Sequence, residues 1–135
     1  MRKVSENSDG IHVMTERNDS LVNALQRESF AVVQNSVREG FGMTVTEALY
    51  KGTPVVATRV GGIPLQVKDK STGFLVNNYR EGAKRCLQLL ENEKLRRRLG
   101  KNGKEHVTKN FLTTGHILDY IRIFRKYLHP VVRAE

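Results

Sequence analysis

The chain is organised around the sequence Arg38-Glu39-Gly40-Phe41-Gly42-Met43-Thr44-Val45-Thr46-Glu47-Ala48-Leu49. The run before it, Phe30-Ala31-Val32-Val33-Gln34-Asn35, is short, apolar and rich in β-branched residues, which predicts a strand buried on both faces. Gly40 and Gly42 then permit a tight turn. After the turn, apolar residues recur at helical spacing as far as Gly52, where a C-terminal cap is expected. The local pattern therefore predicts a strand, a glycine turn and a helix.

The start of that helix is a candidate anion site. The first amides of a helix have no internal partners, and together with the helix dipole they attract a group such as phosphate. Glu39 stands at the mouth of the turn, where its carboxylate can accept hydrogen bonds from sugar hydroxyls. Glu47 follows about one turn inside the helix, where it can bind a second diol such as a ribose. The alternative is that both glutamates are solvated charges, which a glycine turn alone does not exclude.

The complete string is more specific than a glycine turn. Glu39-Gly40-Phe41-Gly42, followed by Glu47-Ala48, resembles the signature of the retaining, nucleotide-sugar-dependent glycosyltransferases of family 4, or group 1, which have the two-domain GT-B fold. Three later segments, residues 51–58, 60–64 and 71–76, resemble the family's next landmarks in the same order.

The resemblance implies a role for each candidate site residue. It makes Glu39 the catalytic-site residue that contacts the hydroxyls of the donor sugar, and Glu47 the residue that binds the ribose. The glycine turn meets the sugar and the diphosphate, and its candidate residues are Gly40, Phe41, Gly42, Met43 and Thr44.

Gly61 and Gly62 complete the predicted site. They follow a second apolar run, residues 54–58, and the carboxyl ends of parallel strands lie at the same edge of a sheet. We therefore expect this glycine pair to lie beside the first one. A plain tight turn is the alternative.

The expected fold is α/β, a Rossmann-like three-layer arrangement of a parallel sheet with helices, forming part of the C-terminal domain of a GT-B fold. Residues 1–10 are expected to be a flexible N-terminal segment, and residues 11–135 a single partial nucleotide-sugar-binding domain with C-terminal helices. Residues 11–14 are β-prone, and Asp19 or Ser20 is expected to cap the first helix.

The later elements follow from hydrophobic periodicity. We expect a small edge strand at residues 73–76 and helices from residue 79 or 80 to 90, from 94 to 106 and from 113 to 128. The last helix carries an apolar stripe composed of Ile117, Ile121, Phe124 and Leu128. The stripe is either ordinary core or, as the GT-B fold implies, a surface that braces the other domain.

Composition narrows the class of protein. A chain of 135 residues is long enough for one domain with a core, and too short for two. No apolar run reaches membrane-spanning length and the start does not resemble a signal peptide, so a cytoplasmic location is expected.

The single cysteine, Cys86, is predicted to be buried and unreactive on a helix face with Ala83, Leu87 and Leu90. The four histidines show no ligand-like spacing, so we expect no metal or other cofactor.

The net charge of +9 lies mostly in the later part of the chain. Residues 1–79 hold 9 Lys and Arg against 8 Asp and Glu, whereas residues 80–135 hold 14 against 6. A solvated basic face is the first interpretation, and a peripheral contact with an anionic membrane ranks second. No nucleic-acid partner is expected, because no such motif is visible and the later aromatic residues have helical spacings that suit packing; they are Phe111, Tyr120, Phe124 and Tyr127.

The resemblance covers about the last third of a family enzyme. The acceptor-binding N-terminal domain, and an Arg and a Lys that neutralise the donor diphosphate, have no counterpart, and Arg2 and Lys3 are weak substitutes. Loss of that charge stabilisation costs orders of magnitude in rate, so the chain alone is expected to be inactive without the N-terminal GT-B domain or a partner chain. A truncated gene product, an expressed fragment and one piece of a split enzyme are its possible origins.

Leu65 and Gln66 bear on the branch of the family. Most branches have Glu where Leu65 stands, and this departure favours the trehalose-synthesising branch, with glucose transferred from UDP-, ADP- or GDP-glucose to glucose with retention.

Two other function classes stay open. One is a non-catalytic nucleotide-sugar-binding module, and the other is an interaction fragment that self-associates through a sheet edge or the terminal helix.

Overall fold

The computed structural model describes residues 10–15 and 17–128. A parallel three-stranded sheet lies at its centre, with the strands β1 (Val32–Gln34), β2 (Val55–Thr58) and β3 (Gly73–Val76) in chain order. Parallel neighbours need a crossover connection, and helices supply it here, which confirms the predicted α/β class. The predicted flexible segment, residues 1–10, lies outside the described residues except for Gly10.

Six helices accompany the sheet in the described part of the chain. They are α1 (Asp19–Glu28), α2 (Met43–Lys51), α3 (Ile63–Gln66), α4 (Tyr79–Glu91), α5 (Glu93–Asn110) and α6 (Thr113–Leu128). Asparagine side chains cap α1, α4 and α5, and each accepts a hydrogen bond from the amide three residues later. Asn18 caps α1, which corrects the prediction of Asp19 or Ser20. Residues 11–14 form no strand and are exposed, which corrects their β-prone interpretation, because they pair with no neighbouring strand.

Helices cover both faces of the sheet, which gives the three layers predicted. On one face, α2, α3 and α5 pack on the strands through the buried residues Val45, Ala48, Leu49, Val55, Ala57, Ile63, Val67, Leu75 and Val107. On the other face, α4 and α5 pack through Val56, Phe74, Val76, Leu89 and Leu99. Burial of this apolar surface is the main stabilising term of the fold.

Helix α5 approaches α2 very closely. Gly52 ends α2 with a φ of +84°, as the sequence predicted for a C-terminal cap. A Cβ atom added to Gly100 on α5 would lie 2.0 Å from the Gly52 carbonyl oxygen, and one added to Gly103 would lie 2.7 Å from Leu49 Cδ2. Glycines on α5 therefore let the two helices meet backbone to backbone.

The burial predicted for β1 was wrong. Val33 is 55% exposed, and Val32 and Gln34 are half-buried. The strand lies at one edge of the sheet, and α4 packs mainly against β2 and β3. One face of β1 is therefore open instead of buried.

The buried face of α4 also differs from the prediction. Leu89 is fully buried, whereas Leu87, Leu90 and Ala83 are exposed and Cys86 is half-buried. Arg85 lies over the Phe74 ring at 4.8 Å and so contributes to the inward face that the apolar pattern assigned elsewhere.

Helix α6 contributes nothing to the core of the described domain. Every residue from 116 to 128 is exposed, so the apolar stripe is not ordinary core. The packing predicted for Tyr120, Phe124 and Tyr127 was also wrong, although Tyr120 and Phe124 stack on each other with ring centroids 6.4 Å apart. In the described part of the chain, no helix is both long and apolar enough to span a membrane.

Two of the basic side chains on α5 make contacts within the fold. The Arg96 guanidinium lies 4.5 Å from the Phe30 ring centroid and donates to the Leu89 carbonyl oxygen at 3.0 Å. Arg97 pairs with Glu93 at 2.6 Å on the helix surface. Arg97 and Arg98 are both exposed, in agreement with the first interpretation of the charge.

Candidate functional site

The glycine turn leads from β1 into α2 at the carboxyl edge of the sheet. Gly42 precedes the helix with a φ of +86°, a conformation that favours glycine, and it has no side chain to cap the helix. The Val45 amide is the first to bond back, to the Gly42 carbonyl oxygen at 3.0 Å. The amides of Met43 and Thr44 come before that bond and are free, by helix geometry, to meet a ligand.

The second glycine pair lies directly against this turn. The Gly62 amide donates to the Gly40 carbonyl oxygen at 2.7 Å. A Cβ atom added to Gly61 would lie 1.7 Å from the Glu39 carbonyl oxygen, so no side chain fits there. The predicted proximity of the two glycine pairs is thus what the structure shows, and Gly61 and Gly62 themselves form a turn.

The Glu39 carboxylate is held by its own loop. Its Oε2 atom accepts hydrogen bonds from Gln34 Nε2 at 3.3 Å and Ser36 Oγ at 3.5 Å, and its Oε1 atom accepts from the Gly40 amide at 3.0 Å. Ser36 is in turn tied to the end of β2, because Thr58 Oγ1 donates to the Ser36 carbonyl oxygen at 2.6 Å. The side chain is half-buried and oriented, which does not fit a freely solvated loop charge.

Glu47 faces α1. Its Oε2 atom accepts from Gln26 Nε2 at 3.1 Å, and it borders a groove of about 410 Å³ between α1 and α2. The other residues that line this groove are Arg17, Asp19, Val22, Asn23, Gln26 and Lys51. Glu39 and Glu47 share no hydrogen-bond partner in the described chain, so each carboxylate has its own surroundings.

Gln66 is a site residue whose role sequence reasoning missed. Its side chain is fully buried at the end of α3, where Nε2 donates to the Phe41 carbonyl oxygen and Oε1 accepts from Thr46 Oγ1. These two bonds tie the glycine turn to the first turns of α2. A polar residue between Ile63 and Val67, in an otherwise apolar segment, was the available signal.

The end of α5 supports the turn from outside. The Phe41 and Phe111 rings lie 5.9 Å apart, and the His106 ring meets Phe111 edge-on at 5.5 Å. His106 also lies 3.4 Å from the Leu65 carbonyl oxygen through Nε2. The packing predicted for Phe111 is therefore correct, and its partner is the loop that forms the site.

Other reactive groups lie apart from this arrangement. Burial raises the pKa of the Cys86 thiol, so less thiolate forms at neutral pH than in a free cysteine, as expected for a structural residue. Within residues 10–15 and 17–128, no cluster of three or more His, Cys, Asp or Glu side chains is arranged to hold a metal ion.

The chain matches a protein-family model described as "Glycosyl transferases group 1" over residues 3–106. The curated trehalose synthase of Thermococcus litoralis is 42% identical over 125 residues, which cover 93% of this chain and 29% of that protein. The chain therefore spans less than a third of the length of this relative.

Solved structures give the same fold. Sucrose-phosphate synthase from Thermosynechococcus elongatus superposes with a TM-score of 0.68 at 32% identity, over 76% of this chain and 26% of that one. Anabaena HepE, solved in complex with UDP-glucose, superposes with a TM-score of 0.70 at 22% identity, over 78% of this chain and 30% of that one. The predicted relation to the C-terminal domain of a GT-B fold is thereby confirmed.

Proposed function

The chain belongs to the group 1 glycosyl transferases, and from that membership we propose that its folded part is the donor-binding half of a retaining hexosyltransferase that uses a nucleotide-diphosphate glucose. The observation that carries the proposal is the contact of Gly61 and Gly62 with the backbone of Glu39 and Gly40. This contact fixes a turn with uncapped helix amides beside an oriented carboxylate. Such an arrangement suits a sugar attached to a phosphate.

The diphosphate of the donor would lie at the start of α2. Helix N-terminal amides and the helix dipole both favour an anion, and the absence of a capping side chain on Gly42 leaves that position to a ligand. Gly40, Phe41, Met43 and Thr44 complete the backbone surface assigned to the sugar and the diphosphate. HepE, a protein of the same fold, binds UDP-glucose in its crystals, which supports a ligand of this class.

The two carboxylates would bind different parts of the donor. Glu39, oriented by Gln34 and Ser36, would accept hydrogen bonds from the hydroxyls of the glucose. Glu47 would accept hydrogen bonds from the ribose, in the groove beside α1. We assign no metal or other cofactor to this site.

Transfer would proceed with retention. The acceptor hydroxyl oxygen bonds to the anomeric carbon on the face from which the diphosphate departs, the bond from that carbon to the phosphate oxygen breaks, and the hydroxyl proton passes to the departing phosphate. Glu39 positions the sugar and does not attack it. By analogy with its curated relatives named trehalose synthase, we assign glucose as the acceptor.

Turnover would also require the acceptor-binding part of the enzyme. The chain corresponds to 29% of the Thermococcus litoralis relative, and we propose that the described domain binds the donor without transferring glucose. The exposed α6 and the open face of β1 favour a second candidate function, a non-catalytic binding or assembly module.

The test is thermal unfolding of the chain with UDP-, ADP- and GDP-glucose. A ligand at 100 times its Kd stabilises the folded state by about 2.7 kcal/mol, which raises the Tm measurably. We expect one nucleotide sugar to raise the Tm of the wild-type chain and Glu47→Ala to remove most of that shift. Glu105→Ala is the matched control and should retain it, because Glu105 is an exposed glutamate on α5 whose one ion-pair partner among the described residues is Lys101. No shift with any of the three sugars would contradict the proposal and favour the assembly module.

A further inference from the structure

Gln26 on α1 is a nearly buried amide that lies between two charges of α2. It is 5% exposed. Its Nε2 atom donates to Glu47 Oε2 at 3.1 Å, its Oε1 atom accepts from Lys51 Nζ at 2.6 Å, and its backbone oxygen accepts from Thr53 Oγ1 at 2.5 Å. An ammonium group can only donate, so the orientation of the amide is determined. Oε1 must face Lys51 and Nε2 must face Glu47.

The spacing of Glu47 and Lys51 would otherwise favour a direct ion pair. A Glu four residues before a basic residue is the favourable helical arrangement. Elsewhere in this fold, Glu93 and Arg97 pair directly at 2.6 Å, and Glu81 and Arg85 approach to 4.0 Å. In the described chain, Glu47 and Lys51 form no such pair, because the Gln26 amide bonds to both of them.

This arrangement leaves part of the Glu47 carboxylate available. Oε2 is occupied by Gln26, whereas Oε1 accepts no hydrogen bond from any residue that the structure describes. The same side chain lines the groove between α1 and α2. A lysine ammonium placed directly on the carboxylate would compete with a ligand for that oxygen.

We infer that Gln26 is a positioning residue that holds Lys51 away from Glu47, and so keeps one carboxylate oxygen free for the vicinal hydroxyls of a nucleotide sugar's ribose. The inference rests on the proposed function, because it presupposes that the groove receives the nucleoside end of the donor. Gln26 itself touches no reacting atom.

The test is a double-mutant cycle on the affinity for whichever of UDP-, ADP- or GDP-glucose the wild-type chain binds. Gln26→Met keeps the length of the side chain and removes both of its side-chain hydrogen bonds, so that Lys51 can pair with Glu47. We expect the Kd to rise about tenfold, which corresponds to one hydrogen bond to a charged group. Lys51→Met added to Gln26→Met should recover most of that loss, and Lys51→Met alone completes the cycle. Gln88→Met, at an exposed glutamine of α4, is the control for the substitution itself.

A purely structural role for Gln26 makes a different prediction. If Gln26 only joined α1 to α2, the second substitution would deepen the loss instead of reversing it, and the melting temperature without ligand would fall in parallel with the affinity. Either an unchanged Kd for Gln26→Met or the absence of rescue by Lys51→Met would overturn the inference.

A ligand-free measurement separates this inference from the proposed function. In ¹⁵N-resolved NMR spectra, Glu47→Ala should displace the side-chain amide resonance of Gln26 more than that of Gln34, Gln66 or Gln88. A Gln26 resonance that does not move would overturn the inference even if nucleotide sugars bind. If the resonance moves and no nucleotide sugar binds to the wild-type chain, the proposed function fails. The inference that Gln26 keeps a Glu47 oxygen free for the ribose is then overturned with it.

Discussion

Single polar residues determine how the site is held. Gln66 bonds to the Phe41 carbonyl oxygen and to the Thr46 hydroxyl, and its side chain has no contact with solvent. A buried polar group that loses its partner retains the full cost of leaving water. Gln66 therefore couples the stability of the domain to the shape of the glycine turn.

Replacing Gln66 should destabilise the domain and disorder the turn. Gln66→Leu has nearly the same volume but leaves the Phe41 carbonyl oxygen and the Thr46 hydroxyl without a buried partner, and we expect a loss of about 1–3 kcal/mol in the free energy of unfolding. Urea unfolding measures this loss. Gln88→Leu, at an exposed position, should change the stability by less than about 0.5 kcal/mol. Equal stability of the two variants would show that the buried bonds contribute little.

At the residue scale, the sequence predicted that the two glycine pairs lie together, but not the side chains that hold them there. The glycines at 42, 61 and 62 were informative because only glycine fits a positive φ or a backbone contact of this kind, whereas a side chain at Gly40 would meet open space. Gln26 gave no such signal, and Gln66 gave only that of a polar residue in an apolar segment. The burial of a glutamine depends on partners 20 to 25 residues away, as the contacts to Thr46 and Lys51 show, and those are known only once the chain has folded.

At the scale of secondary-structure elements, local sequence signals predicted where the helices and strands occur better than they predicted which faces are buried. Helices α2, α4 and α6 begin and end close to where periodicity and caps place them. Strand β1 was found at the right place, yet its open face was not predicted, because the same apolar run suits a central strand and an edge strand. The inward face of α4 was misassigned because an arginine on an aromatic ring takes part in the packing.

The approach of α5 to α2 should be sensitive to a single methyl group. Gly100→Ala places a Cβ atom 2.0 Å from the Gly52 carbonyl oxygen, and we expect overpacking of about 1–3 kcal/mol to outweigh the gain of up to about 1 kcal/mol in helix propensity. Gly115→Ala on α6 is the matched control, since nothing lies within 4 Å of its added Cβ atom. Thermal unfolding should show a lower Tm for the first variant and an equal or higher one for the second. A Gly100→Ala chain as stable as wild type would contradict this close packing.

At the scale of the whole molecule, two apolar surfaces are left exposed in the described chain. The stripe on α6 and the open face of β1 are both uncovered in the described chain. Exposed surface of this extent usually meets a partner. The family's two-domain architecture offers one, and a second copy of the chain offers another.

The isolated chain should therefore self-associate as its concentration rises. Sedimentation measurements should show an increase in average mass, and Ile121→Glu combined with Phe124→Glu should restore a monomer by placing charges in the apolar stripe. Arg125→Glu combined with Lys126→Glu changes charge on the same helix without altering the stripe, and should leave association in place. A wild-type chain that stays monomeric at every concentration would exclude this behaviour.

The chain order of the strands has a kinetic consequence. Val32 pairs with Val55, 23 positions later, and Val55 pairs with Gly73, 18 positions later. Such short closures cost little loop entropy and favour rapid folding for a parallel sheet. Both glycine pairs, Gln26 and Gln66 fall within residues 26–66, and the same stretch contains β1 and β2. The glycine turn is thus expected to form with the first strand pair, early in folding and during synthesis, and its contact with Phe111 follows once α5 has been made.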